Sequence, residues 1–152
     1  MGHQDILQRT SFAHVCGDSI IAAIAGLALY ASFEPVGWWW LSVPALALFM
    51  SRIDEARAPR ALTVTFVFGM SFWVPLIDWI PLAVGTTPPW FVLALVQTLF
   101  FMGWVVFARW TQLWRWARGP FVQAFLFALT WAGVDAARSR WPWSGFPWGS
   151  VA

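Results

Sequence analysis

The chain is predicted to be an all-α membrane protein, a polytopic helical bundle of about five transmembrane helices, and three observations predict it. Of its 152 residues 60% are hydrophobic and 11% charged, with a mean hydropathy of +0.65, whereas roughly 25% of an ordinary soluble domain is charged. The apolar residues are gathered into long stretches. All nine basic residues are arginines, and seven of them occupy alternate gaps between those stretches. Arg9 precedes the first, Arg52, Arg57 and Arg60 separate the second from the third, and Arg109, Arg115 and Arg118 separate the fourth from the fifth. The gaps between carry Glu34 and Asp78. Cytoplasmic loops retain Lys and Arg because moving these residues across the membrane is disfavoured. The N-terminus is therefore expected in the cytoplasm, with the chain leaving its fifth span on the outer face. Arg138 and Arg140 run against that rule.

The first span is expected over residues 12–33. Its charge-free part, Ser19 to Phe33, is short against the roughly 20 residues that a helix needs to cross the hydrocarbon. Asp18 then lies about a third of the way in, where a carboxylate must snorkel to the surface or face another helix. Asp5 and Asp18 spoil the positive leader of a cleaved signal peptide, so a retained span is the better reading. The second span, 38–50, follows a turn at Glu34-Pro35-Val36-Gly37 and is expected to kink at Pro44. The third covers 61–77, with Pro75 loosening its outer end. Gly85-Thr86-Thr87-Pro88-Pro89 is turn chemistry, which makes Asp78 to Pro89 the next loop. The fourth span covers 90–108. The fifth covers 120–135, with Gly119 closing the preceding loop and Pro120 opening the helix.

Of the fourteen tryptophans, Trp38, Trp39, Trp40, Trp79 and Trp90 are expected at the outer interface and Trp110, Trp114 and Trp116 at the inner one, where an indole buries its ring and keeps its N–H hydrated. Trp73, Trp104 and Trp131 lie too deep for that role. Lipid offers helices no hydrophobic reason to associate, so small residues mark where backbones approach. Ala124, Ala128, Ala132 and Ala136 form one such stripe and Ala22 with Gly26 another. Both are expected to be buried against other helices.

Several function classes are excluded. A net charge of +2 with arginines confined to membrane-side loops leaves no nucleic-acid-binding face, despite a pI near 9.5. The single cysteine, Cys16, rules out an internal disulfide. With His14 beside it, it supplies two potential ligands and no third, so no metal or other cofactor is expected. There is no Gly-rich phosphate loop, no G-x-S-x-G and no lysine. What remains is a set of polar and aromatic residues at the outer face: Glu34, Asp78, Trp79, Asp135, Arg138, Arg140 and the run Trp141-Pro142-Trp143-Ser144-Gly145-Phe146-Pro147-Trp148. Asp135 and Arg138 share a helical face and can pair. The guanidinium is also well shaped for a lipid phosphate.

Phe33-Glu34-Pro35 before Trp38 to Trp40, Asp78-Trp79 after the third span, and Asp135-x-x-Arg138 before Ser144-Gly145-Phe146-Pro147-Trp148 together resemble the N-terminal membrane region of apolipoprotein N-acyltransferase. The resemblance runs from about Ile20 to Trp148. It implies a multi-pass protein of the bacterial inner membrane and a transferase reaction in lipoprotein biosynthesis. In that reaction an acyl chain passes from a phospholipid donor to the N-terminal amine of a diacylglyceryl-cysteine lipoprotein substrate. It also implies that the chemistry belongs to a Glu-Lys-Cys triad in a nitrilase-like domain outside the membrane, which activates a thiol and stabilises an oxyanion. None of that triad is present here, and Cys16 lies at the inner end of the first span. No catalytic residue is therefore assigned; Trp79, Asp135, Arg138, Phe146 and Trp148 are expected to orient lipid or brace the domain. Two positions depart from the family pattern: Pro81 stands where a tyrosine is usual, and Asp135 where a glutamate is usual. The 152 residues are expected to be inactive alone, and a small non-enzymatic membrane protein or truncated remnant is the alternative. A transporter is more distant, because no internal repeat accompanies the prolines of the second and third spans.

Overall fold

The computed structural model describes the backbone of residues 3–54, 56–111, 119–141 and 146–149, and side chains within 15–54, 56–110, 119–141 and 146–149. The side chains of Arg9 and His14, and Trp114, Arg115, Trp116, Arg118, Trp143, Ser144 and Gly145, lie outside these. All regular structure among the described residues is helical: α1 (His3–Ala31), a 3-10 turn (Trp39–Leu41), α2 (Ser42–Asp54), α3 (Ala58–Leu76), α4 (Ile80–Val84), α5 (Pro88–Thr111) and α6 (Pro120–Arg138). Two of them, α5 over Pro88–Trp110 and α6 over Pro120–Arg138, are long and apolar enough to cross a membrane. The apolar part of α1, Val15–Ala31, is shorter, and α2 has only 13 residues against the roughly 20 that a crossing needs.

Helix α3 is the hub, packed on α1, α2 and α5, while α6 packs on α5. Close approach of α1 to α3 is made at Gly26, where an added Cβ would lie 2.4 Å from the Phe68 carbonyl oxygen and 2.9 Å from Ser71 Cβ. Ala22, Ala25 and Leu29 continue that seam and are fully buried. The next seam repeats the device: Gly69 of α3 sits against Thr98 of α5. The Thr65 and Thr98 hydroxyls donate to the carbonyls of Ala61 (2.7 Å) and Ala94 (2.8 Å), so buried threonines cost no unsatisfied donor. Between the seams the core is aromatic, with Phe49 stacked on Phe68 at 3.9 Å and Phe101 meeting Phe72, Trp73 and Trp131.

The two charged ties at one end of the bundle follow from the sequence. Asp18 is buried and resolves its depth by facing α3, where Arg60 pairs with it, and Arg52 of α2 approaches to 4.0 Å. Arg109 of α5 donates to the Ile53 carbonyl (2.8 Å), satisfying one of the last carbonyls of α2. One indole ties α6 in: Trp104 Nε1 donates to Thr130 Oγ1 at 3.0 Å, and Trp104 meets Trp131 edge-on at 5.0 Å. Of the three tryptophans too deep for an interface, Trp73 and Trp104 are fully buried, whereas Trp38, Trp39, Trp40 and Trp110 are exposed.

Three sequence expectations need correction. Pro44 does not kink α2: the helix starts at Ser42, so the proline sits in the first turn, where its missing donor has no helical partner to lose. Residues 78–89 are not all loop, since α4 forms with Pro81 in its first turn and Gly85 (φ 80°) as its left-handed cap. The alanine stripe of α6 is not buried: Ala124, Ala128 and Ala132 are exposed and Ala136 is half-buried. The face that α6 turns inward instead carries Thr130, Val134 and Arg138, because the Trp104–Thr130 hydrogen bond sets its rotation. The Ala22/Gly26 stripe is buried as expected.

Candidate functional site

At the C-terminal ends of α3 and α6 the five residues singled out from the sequence converge on one arginine. Arg138 ends α6, a position where a cation meets the negative end of the helix dipole. Its side chain is 1% exposed. Nε donates to Asp135 Oδ1 at 3.0 Å, and Nη2 pairs with the same carboxylate, as their i, i+3 spacing requires. Nη1 reaches across the chain reversal and donates to two backbone carbonyls, Phe146 O and Trp148 O, each at 2.8 Å. The Phe146 amide donates back to the Arg138 carbonyl at 3.1 Å. The guanidinium lies over the Trp73 ring, 5.0 Å from its centroid, a contact that favours a desolvated cation.

The returning segment is shaped to lie flat on α3. Gly149 has φ +70°, and a Cβ there would come within 2.6 Å of Leu76 Cδ2 and 2.9 Å of the Trp73 ring. Only glycine meets both demands. Trp148 meets Trp79 with ring centroids 5.5 Å apart, and Phe146 packs on the aromatic core. All five sequence-chosen residues thus belong to one assembly. Sequence reasoning missed Trp73, whose unusual depth was the available signal, and Gly149, for which the glycine after Trp148 was the only cue.

The chemistry open to this assembly is mechanical. Four hydrogen bonds to protein acceptors occupy Arg138, and no side of it faces outward for a phosphate. The void beside it, lined by Phe101, Trp104, Trp131, Val134, Asp135 and Arg138, has room for about 10 Å³, at most one water. Glu34 and Asp78 are exposed in the adjoining loops. Arg140 is also exposed, its Nη1 donating to the Ala136 carbonyl at 3.1 Å. Among the described residues no three His, Cys, Asp or Glu side chains are grouped to hold a metal. Cys16 is two residues from Asp18, which pairs with Arg60 near the start of α3. The thirteen residues from Arg60 to Trp73 span about 20 Å of helix, so Cys16 is at the opposite end from Arg138.

Residues 25–152 match the family model described as the apolipoprotein N-acyltransferase N-terminal domain. The chain belongs to the apolipoprotein N-acyltransferase family. It is 38% identical over 87 residues to an apolipoprotein N-acyltransferase of Mycolicibacterium smegmatis, which covers 56% of this chain and 14% of that protein. It is 29% identical over 126 residues to one of Aquifex aeolicus, covering 82% of this chain and 27% of that protein. The chain therefore spans between about a seventh and a quarter of the length of these N-acyltransferase relatives. No solved structure matches it at a significant level. Both departures from the N-acyltransferase pattern fit the local structure: Pro81 opens α4, and the shorter Asp135 still reaches Arg138.

Proposed function

We propose that this chain is the membrane part of an apolipoprotein N-acyltransferase of the bacterial inner membrane. It crosses the bilayer five times over the segments 12–33, 38–50, 61–77, 90–108 and 120–135, with its N-terminus in the cytoplasm. Two crossings, α5 and α6, rest on helix length and apolarity. The other three rest on the alternation of arginine-bearing and acidic gaps and on neighbouring residues extending the shorter helices. In the complete enzyme an acyl chain passes from a phospholipid to the N-terminal amine of a diacylglyceryl-cysteine lipoprotein. This segment performs no bond chemistry; it holds the catalytic part at the outer leaflet and presents lipid to it.

One observation carries the site's role: Arg138 spends its hydrogen bonds on Asp135 and on the carbonyls of Phe146 and Trp148. That supports bracing over phosphate binding for Asp135, Arg138 and Phe146, while Trp79 and Trp148, both exposed, are placed to touch lipid. The brace fixes the direction in which the polypeptide leaves α6. The test is acyl transfer to a lipopeptide carrying a diacylglyceryl-cysteine, from phospholipid, by the purified 152-residue chain. No product is expected, because the chain has no lysine and its cysteine lies far from the brace. Turnover by this chain alone would refute the division of labour.

A further inference from the structure

Two buried polar atoms have no hydrogen-bond partner among the described residues: Trp73 Nε1 on α3 and Gln97 Oε1 on α5. Trp73 is fully buried and Gln97 is 2% exposed. Asp18, Thr65, Thr98, Thr130 and Arg138, the other buried polar side chains described, are all bonded. Polar groups sealed from solvent are as a rule paired, through an enclosed water where the protein offers no partner. Of these two atoms, the indole nitrogen can only donate and the amide oxygen can only accept.

The packing of α3 on α5 brings the two side chains together. Gly69 sits against Thr98, the residue after Gln97. A long helical side chain leans over the turn N-terminal to its own Cα, so Trp73 covers the turn of Gly69 and its indole lies at the height of Gln97 and Thr98. The Phe101 ring leans the same way along α5, over the turn of Gln97, and meets the Trp73 ring with centroids 5.7 Å apart. Donor and acceptor thus flank one aromatic contact, in a place closed to anything but a small molecule.

We infer that one enclosed water joins α3 to α5 here, accepting from the Trp73 indole N–H and donating to Gln97 Oε1. Gln97 is then a positioning residue for the brace. The ring that it holds through the water is the one that lies 5.0 Å beneath the Arg138 guanidinium and against which Gly149 is seated. Nothing in this pairing depends on the chain being membrane-embedded or on the reaction of its relatives.

The test is NMR of the full 152-residue chain, labelled with nitrogen-15, in detergent micelles. The Trp73 indole resonance is identified as the one lost in Trp73→Phe. In the wild type it is expected to show a cross-relaxation peak to a long-lived water. Gln97→Met keeps the volume and removes the acceptor; it should abolish that peak, move the indole proton upfield and shift the Arg138 Nε–H that the ring shields. The sign of the stability change is a second measurement. If Gln97 Oε1 were unpaired, Gln97→Met would remove a buried unsatisfied acceptor and raise the unfolding temperature; with the water in place it strands the indole N–H and lowers it. In a Trp73→Phe background the same replacement should no longer lower it. An indole resonance that Gln97→Met leaves unmoved, or a rise in unfolding temperature, would overturn the pairing. A resonance that moves without any water peak in the wild type would mean a direct indole–amide bond and overturn the water. An Arg138 Nε–H unchanged in Gln97→Met would overturn the positioning role.

Discussion

Arg138→Met is expected to lower the thermal stability of the chain in detergent more than any other single replacement at this end of the bundle. Removing one partner of a buried ion pair typically costs about 3–5 kcal/mol, because the other charge is left without compensation. Here the same change also strips the donors from Phe146 O and Trp148 O, and a hydrogen bond to a charged group is worth about 1.5–3 kcal/mol. Those contributions share one side chain and will not add simply. A double replacement separates them. Asp135→Leu with Arg138→Met removes both charges and should recover the part due to the Asp135 carboxylate, yet leave the two carbonyls without the guanidinium. The expected order of unfolding temperatures, followed by tryptophan fluorescence, is wild type, then the double variant, then Arg138→Met. Arg138→Lys should fall below wild type too, because an ammonium cannot reach a carboxylate and two carbonyls in one planar fork. A single variant as stable as wild type would show that Arg138 does not close the chain reversal.

Gly26→Leu has the second large effect, and it acts at the α1–α3 seam. A Cβ at this position already overlaps the Phe68 carbonyl oxygen, which belongs to the backbone of α3 and cannot rotate away. The helices must separate, and separation exposes the paired glycine and alanine surfaces that replace hydrophobic drive inside a bilayer. Overpacking of this kind costs roughly 1–3 kcal/mol, enough to lower the unfolding temperature by roughly 2–12 °C in a chain of this length. Ala128→Leu, the matching change on the exposed stripe of α6, should leave the unfolding temperature near that of wild type. Equal effects of the two replacements would mean that exposure on α6 is not what separates them.

That contrast also shows where the sequence was informative. Small residues at every fourth position permit close packing without requiring it; the same pattern is a seam at Ala22/Gly26 and an open face at Ala124/Ala128/Ala132. The rotation of α6 is decided by a hydrogen bond from Trp104, 26 residues from Thr130, and no local periodicity reports such a pair. Where a single residue has a strong demand, the sequence was readable. A carboxylate at Asp18 could not be buried alone, and it pairs with Arg60. Gly119-Pro120 could only open a helix, and α6 begins there. Helix α4 escaped notice because five residues are too few to show a period, although Gly85 marked its end. At the brace, Asp135 and Arg138 were legible as an i, i+3 pair. The other half of the guanidinium's partners was not, because backbone carbonyls carry no sequence signature and the reversal that delivers them depends on Gly149 lying flat on Trp73.

The proposed weave of the chain through the membrane would put the Arg138 brace on the outer side. Single cysteines at Thr87 and Ala58, both exposed positions, are introduced into a chain whose own Cys16 is replaced by serine. Spheroplasts are then treated with a maleimide that cannot cross the membrane. Labelling at residue 87 and protection at residue 58 until the cells are permeabilised are expected. Labelling at 58 with protection at 87 would contradict it.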